Sequence, residues 1–144
     1  MNTHIGYLVK NIADKLHGRA DANLKKHNLT FQQSKIIAFL ANNNKKTSQK
    51  EIENFLQVSH PTVVGIVSRM EQNGFLQTAI DLTDKRNKIV YLTKKALAKW
   101  EELKFTIEQN EKNMVKGLTQ KQIQQFILVL QHIYKNIELE EIYV

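Results

Sequence analysis

The chain has 144 residues, 42% hydrophobic and 24% charged, with no cysteine and a formal net charge of +7. That length suits one domain with its own core, and the composition is that of an ordinary globular protein. Without cysteine, disulfides, thiolate zinc sites and thiol redox sensing are excluded, and no stretch approaches the roughly 18 apolar residues that a membrane-spanning helix needs.

The charge is unevenly spread. Residues 1–43 carry +4, residues 44–100 carry +5 and residues 101–144 carry −2. A basic middle is what steering toward phosphate requires, although basic surfaces also arise without function. The opening stretch MNTHIGYLVKNIADKL holds charge inside its apolar pattern and lacks a cleavable signal, so cytoplasmic residence is expected.

Residues 4–27 predict one long helix, with Ile5, Leu8, Ile12, Leu16, Ala20 and Leu24 at three- to four-residue spacing and Asn28 at its end. Thr30 and Gln33 cap a second helix through Ile36, Ile37, Phe39 and Leu40, which closes at the run Asn42-Asn43-Asn44. Lys45 and Lys46 read as solvated, with a place near phosphate as the alternative. Ser48 with Glu51 forms a capping box for a third helix whose apolar face is Ile52, Phe55 and Leu56. A fourth helix starts at Ser59-His60-Pro61, where proline loses no hydrogen bond because the first helical N–H is unpaired anyway. Val63, Ile66, Val67 and Met70 form its buried stripe, and Gly74 stops it. Two short helices joined by a tight turn describe a helix-turn-helix.

The other face of that fourth helix carries Pro61, Thr62, Gly65, Ser68 and Arg69, with Val64 on the border. These are small, hydroxylated or basic residues with no acid among them. Hydroxyls donate to bases or phosphates, arginine pairs with phosphate or guanine, and a small apolar side chain can touch a thymine methyl. The plainer reading is a solvated face of an amphipathic helix. Glu71, toward the helix end, is read as lying beyond reach of a groove.

Phe75–Leu82 and Lys88–Leu92 are rich in β-formers, with Leu76, Thr78, Ile80 and Leu82 on one face. The loop between them holds Lys85, Arg86 and Lys88, with Asp81 and Asp84 placed to fix it. A basic loop beside a helix-turn-helix is the arrangement of a wing, whose arginine can enter a narrow minor groove. The order S-x-x-E, V-S-x-P-T-V, R-M-E-x-N-G-F-L, D-x-x-D-K-R and V-x-L-T, with L-T-x-x-Q at Leu29–Gln33, resembles the MarR family of bacterial winged helix-turn-helix transcription regulators. Two departures are Gln77, where many members have arginine, and Ala96, where glycine often follows L-T-x-x.

Thr93 opens a fifth helix through Leu97, Trp100, Leu103 or Lys104, Ile107, Met114 and Val115, ending near Gly117. Thr119 and Gln122 cap a sixth, with Ile123, Phe126, Ile127, Leu130, Ile133, Tyr134 and Ile137 as its stripe. The tail stays apolar at Leu139, Ile142 and Tyr143. Such stripes exceed what one small domain can cover, which implies a two-fold homodimer built from the first, fifth and sixth helices.

No catalytic constellation is found. Histidines 4, 17, 27, 60 and 132 are scattered and form no H-x-x-x-H, and the glycines form no phosphate-binding pattern. An enzyme is not expected, nor is a cofactor. No metal site is assigned, although a zinc site of His and Glu residues brought together by folding stays open. The resemblance implies a small-molecule effector between the dimerisation helices and the winged helix, for which Tyr7, His17, Phe39 and Trp100 are candidates equally suited to a core.

The expected fold is therefore mainly α, in a single domain over 1–144. A winged helix-turn-helix with a two-stranded β-wing occupies 30–93, flanked by dimerisation helices over 1–28 and 94–144. The expected function is a sequence-specific double-stranded DNA-binding repressor acting as a homodimer on a pseudo-palindromic operator. Its DNA contacts would come from Thr47, Ser48, Gln49, Ser59, His60, Pro61, Thr62, Val64, Gly65, Ser68, Arg69, Lys85, Arg86 and Lys88. The rival is a winged-helix protein-interaction module without sequence-specific DNA binding.

Overall fold

A computed structural model describes residues 3–141, in six helices and three short strands. In order these are α1 (Ile5–Lys26), α2 (Phe31–Ala41), β1 (Lys46–Ser48), α3 (Gln49–Leu56), α4 (His60–Gln72), β2 (Leu76–Ile80), β3 (Lys88–Leu92), α5 (Lys94–Met114) and α6 (Gln120–Glu141). The chain divides into two compact units between Leu103 and Lys104, inside α5.

Local chemistry sets most helix starts. Thr30 and Ser48 each accept the backbone N–H three residues on, while Gln33 and Glu51 reach back to the cap N–H groups. Thr119 and Gln122 do the same ahead of α6. Each box satisfies two donors that a helix start otherwise leaves unpaired. Thr93 works in two directions before α5: its hydroxyl accepts from the Ala96 N–H and donates to the Gly74 carbonyl. At the end of α4, Gly74 takes φ 79°, a conformation that a Cβ would disfavour.

The core of the first unit forms where Ile36, Ile37 and Leu40 of α2 meet Ile52 of α3, Val63, Val67 and Met70 of α4, and Leu76 and Val90 of the sheet. Leu103 is the last buried residue of this core and Leu24 the one buried residue of α1. Of the other apolar positions of α1, Ile5, Ile12 and Leu16 stand exposed, while Leu8 and Ala20 are half-buried. In the second unit, no described side chain of α6 is buried, and Phe126, Ile127, Leu130, Tyr134 and Ile137 all face solvent. Ile142 and Tyr143 of the expected apolar tail lie outside the described residues.

The expected two-stranded wing forms as β2 and β3, and the short strand β1, which was not expected, extends it to a three-stranded antiparallel sheet ordered β1-β3-β2. Lys46 belongs to β1, where Thr47 lies opposite Val90. Consecutive left-handed residues, Asn44 at φ 57° and Lys45 at φ 65°, turn the chain into that strand, and the Leu92 N–H donates to the Lys45 carbonyl. Three residues are too few to show strand alternation, so this strand exists because β3 offers it a free edge. One correction concerns the hairpin: β2 stops at Ile80, leaving Leu82 91% exposed in the loop rather than on the strand face.

Candidate nucleic-acid interface

Helix α3 ends at Gln57, a non-glycine residue at φ 56°, and three residues later α4 begins. That left-handed turn sets α4 across α3, with Val63, Val67 and Met70 turned inward. The opposite face is the one expected from spacing. Pro61, Thr62, Val64, Ser68 and Arg69 are exposed and Gly65 is half-buried. Gly65 leaves open space, since a Cβ built there would meet only the Arg69 guanidinium, at 4.0 Å. Close approach of a groove wall is therefore permitted along this face. Ser59 is the cap residue of α4, but its hydroxyl pairs with that of Thr62 at 2.7 Å instead of with a helical N–H.

The wing tip is ordered by its own carboxylates. Asp81 accepts from the Thr83 amide at 2.9 Å and from the Thr83 hydroxyl at 2.7 Å. Those bonds, the hydroxyl first, hold its carboxyl below the ordinary aspartate range. Asp84 accepts from the Arg86 amide at 3.1 Å and from Arg86 Nε at 3.3 Å. The Arg86 side chain nevertheless stays 93% exposed, available to a partner. Lys85 and Lys88 are exposed beside it.

Between α3, the start of α4 and the wing tip lies an open groove of about 640 Å³, lined by Gln49, Lys50, Glu53, His60, Val64, Asp84, Arg86, Asn87 and Lys88. Its two carboxylates both face a basic partner: Asp84 meets Arg86, and Glu53 Oε2 lies 3.0 Å from His60 Nδ1. Lys50, Glu53 and Asn87 were not among the residues singled out by sequence. The i, i+3 spacing of Lys50 and Glu53, on the side of α3 away from Ile52, was the available signal.

Three expected contacts are less open to a partner than their sequence positions imply. Thr47 is buried, because it faces inward in the sheet and its hydroxyl donates to the Glu51 carboxylate. Gln49 touches the groove wall but is also buried, at 8% exposure. Ser48 is half-buried and spends its hydroxyl on the Glu51 cap. Glu71, expected to lie beyond reach of a groove, is outside the groove lining but accepts hydrogen bonds from Thr78 of β2, so its alanine variant is not a neutral control. The four effector candidates do not converge. Phe39 stacks on Phe55 with ring centroids 4.3 Å apart, Trp100 packs against the core, Tyr7 is exposed, and His17 lines a hollow of about 190 Å³ with Ala20, Asp21 and Phe31.

The profile of the MarR family matches residues 27–87, from the end of α1 through the wing tip. The uncharacterized HTH-type transcriptional regulator YwoH of Bacillus subtilis is 31% identical over 115 residues, spanning 80% of this chain and 82% of that protein. This chain belongs to the MarR family. The HTH-type transcriptional repressor IacR of Pseudomonas putida is 28% identical over 128 residues, spanning 86% of this MarR-family chain and 76% of that protein. Among solved structures, the Staphylococcus aureus MepR–DNA complex superposes with a TM-score of 0.75, at 21% identity over 94% of this chain and 99% of that one. At that identity the likeness shows the fold: a mainly helical winged helix-turn-helix. Among the described residues no helix is long and apolar enough to cross a membrane.

Proposed function

We propose that this MarR-family regulator is a sequence-specific double-stranded DNA-binding repressor that acts as a cytoplasmic homodimer on a pseudo-palindromic operator and answers to a small-molecule effector. One observation carries the reading. His60 and Val64 of α4 and the exposed Arg86 line a single groove whose carboxylates are each paired with a neighbouring histidine or arginine, and Thr62, Ser68 and Arg69 stand exposed on the same helix. Thr62, Ser68 and Arg69 supply donors for base edges and phosphate in a major groove, and Arg86 with Lys85 and Lys88 supplies charge for the neighbouring backbone and minor groove. Both units belong to this one functional domain. Two-fold symmetry would place the paired α4 helices in successive major grooves, roughly 34 Å or about ten base pairs apart. The repressor named among the relatives supports the sign of regulation, and family membership supports the effector.

The test is to sequence genomic fragments retained by the purified protein and to titrate the enriched duplex and a scrambled one at several salt concentrations. The enriched site should show two-fold symmetry, and the logarithm of affinity should fall steeply and linearly with the logarithm of salt. Retention of fragments with no common sequence, or affinity indifferent to salt, refutes it in favour of a protein-interaction module.

A further inference from the structure

The proposed interface has two arms, α4 and the wing, and something must fix the angle between them. Glu71 lies in the last turn of α4, two residues before the cap residue Asn73. Its Oε1 accepts from the Thr78 backbone N–H at 3.1 Å, and the Thr78 hydroxyl lies 3.0 Å and 3.1 Å from the two carboxylate oxygens. Thr78 is the middle residue of β2 and pairs with Val90, which is fully buried. The carboxylate thus reaches across the Gly74 corner and grips the strand that leads to the wing tip.

The neighbouring contacts stop short of that strand. Lys95 Nζ donates to the Asn73 carbonyl at 2.7 Å, and the Thr93 hydroxyl donates to the carbonyls of Gly74 and Phe75. These hold the corner itself. Among the described residues, Glu71 provides the one side-chain hydrogen-bond link from α4 to β2. Beyond it the apolar support fades quickly, from Leu76 at 1% exposure to Ile80 at 63%. With little apolar burial past Thr78, polar contacts decide how the tip is carried.

We propose that Glu71 is a positioning residue that aims the wing relative to the recognition helix α4. It fixes β2 from the helix end, so that Arg86 arrives at a set distance from the base-facing side chains Thr62 and Ser68. The inference rests on the reading of α4 and the wing as two arms of one DNA interface. Glu71 itself need not touch DNA.

The experiment compares Glu71→Ala and Glu71→Gln with the unaltered protein, first by amide hydrogen exchange without DNA and then by duplex titration. In Glu71→Ala, amides of residues 78–88 should exchange about tenfold faster, the equivalent of one hydrogen bond to a carboxylate. Amides of α2 should be unchanged, which separates repositioning from general destabilisation. Operator affinity should fall, and adding Arg86→Ala should cost little more, because a misplaced wing has already lost that contact. Glu71→Gln keeps a carbonyl acceptor for Thr78 and should restore most of both properties. Unchanged wing exchange in Glu71→Ala, full additivity with Arg86→Ala, or a glutamine variant as impaired as the alanine variant would each overturn the proposal. If Arg86→Ala alone leaves DNA affinity intact, the wing's place in the interface fails, while the exchange measurement still decides whether Glu71 holds the strand.

Discussion

At the scale of single residues, what could be read from the sequence were the contacts whose partners lie within four positions. The capping boxes at Thr30/Gln33, Ser48/Glu51 and Thr119/Gln122 form as their spacing demands. The bonds from Asp81 and Asp84 that fix the wing loop are equally local. Left-handed backbone at Asn44, Lys45 and Gln57 could not be read, because none is glycine and each conformation is imposed by the elements on either side. Gln57 illustrates the cost. A side chain at φ 56° is held against its preference so that α4 can cross α3, and removing the Cβ relieves that preference. Gln57→Gly should therefore stabilise the protein, by up to about 1 kcal/mol after allowing for the greater freedom of glycine in the unfolded chain. Its own side chain donates only to the exposed Asn54 carbonyl, so little is lost with it. Denaturant midpoints of the two proteins check this, and a lower midpoint for the glycine variant would show that the turn is not strained.

At the scale of elements, the two arms of the interface make separable demands. The helix-turn-helix was legible because its apolar stripe repeats at helical spacing, and Val63, Val67 and Met70 are buried accordingly. The third strand was not, since its existence depends on β3, more than forty residues away in the chain. The contacts of Thr47 were misread for the same reason. Arg86, almost fully exposed at the wing tip, suits a narrow, electronegative groove better than a lysine would. Arg86→Ala should weaken binding to operator and scrambled duplex alike and flatten the logarithmic salt slope by about one unit. Ser68→Ala and Thr62→Ala should instead cost about 1–3 kcal/mol on the operator and little on scrambled duplex. For Thr62 the hydroxyl must turn from its Ser59 partner toward the base. Gln72→Ala, exposed on α4 and outside the groove, is the control in place of Glu71. Titrations on both duplexes at several salt concentrations decide the matter. Equal losses on both duplexes for Thr62 and Ser68 would mean that the base-facing side of α4 is wrongly assigned.

At the scale of the whole molecule, the apolar surface left over is the informative quantity. Periodicity announced the stripes on the first and last helices but could not say what covers them, because a stripe reads the same whether its partner is the same chain or another. In the single chain, Ile5, Ile12 and Leu16 of α1, and Phe126, Ile127, Tyr134 and Ile137 of α6, remain exposed. Contiguous apolar patches of that kind mark association surfaces in soluble proteins. A second copy of the chain is the occupant that a two-fold operator would require. Ile127 lies within the α6 stripe and is 48% exposed, so an aspartate there is tolerated by the isolated chain but not inside a dimer interface, where an unpaired carboxylate is costly. Ile127→Asp should therefore sediment as a monomer at micromolar concentration, and the unaltered protein as a dimer. Unfolding of the first unit, followed by fluorescence of Trp100, should still be cooperative, because its core lies in other residues. Operator affinity should drop by a hundredfold or more, roughly the gain that tethering two binding modules provides. Gln124→Asp, on the polar side of the same helix, should change neither property. A variant that stays dimeric and binds operator normally would move the interface away from α6, and an unaltered protein that sediments as a folded monomer would remove the dimer altogether.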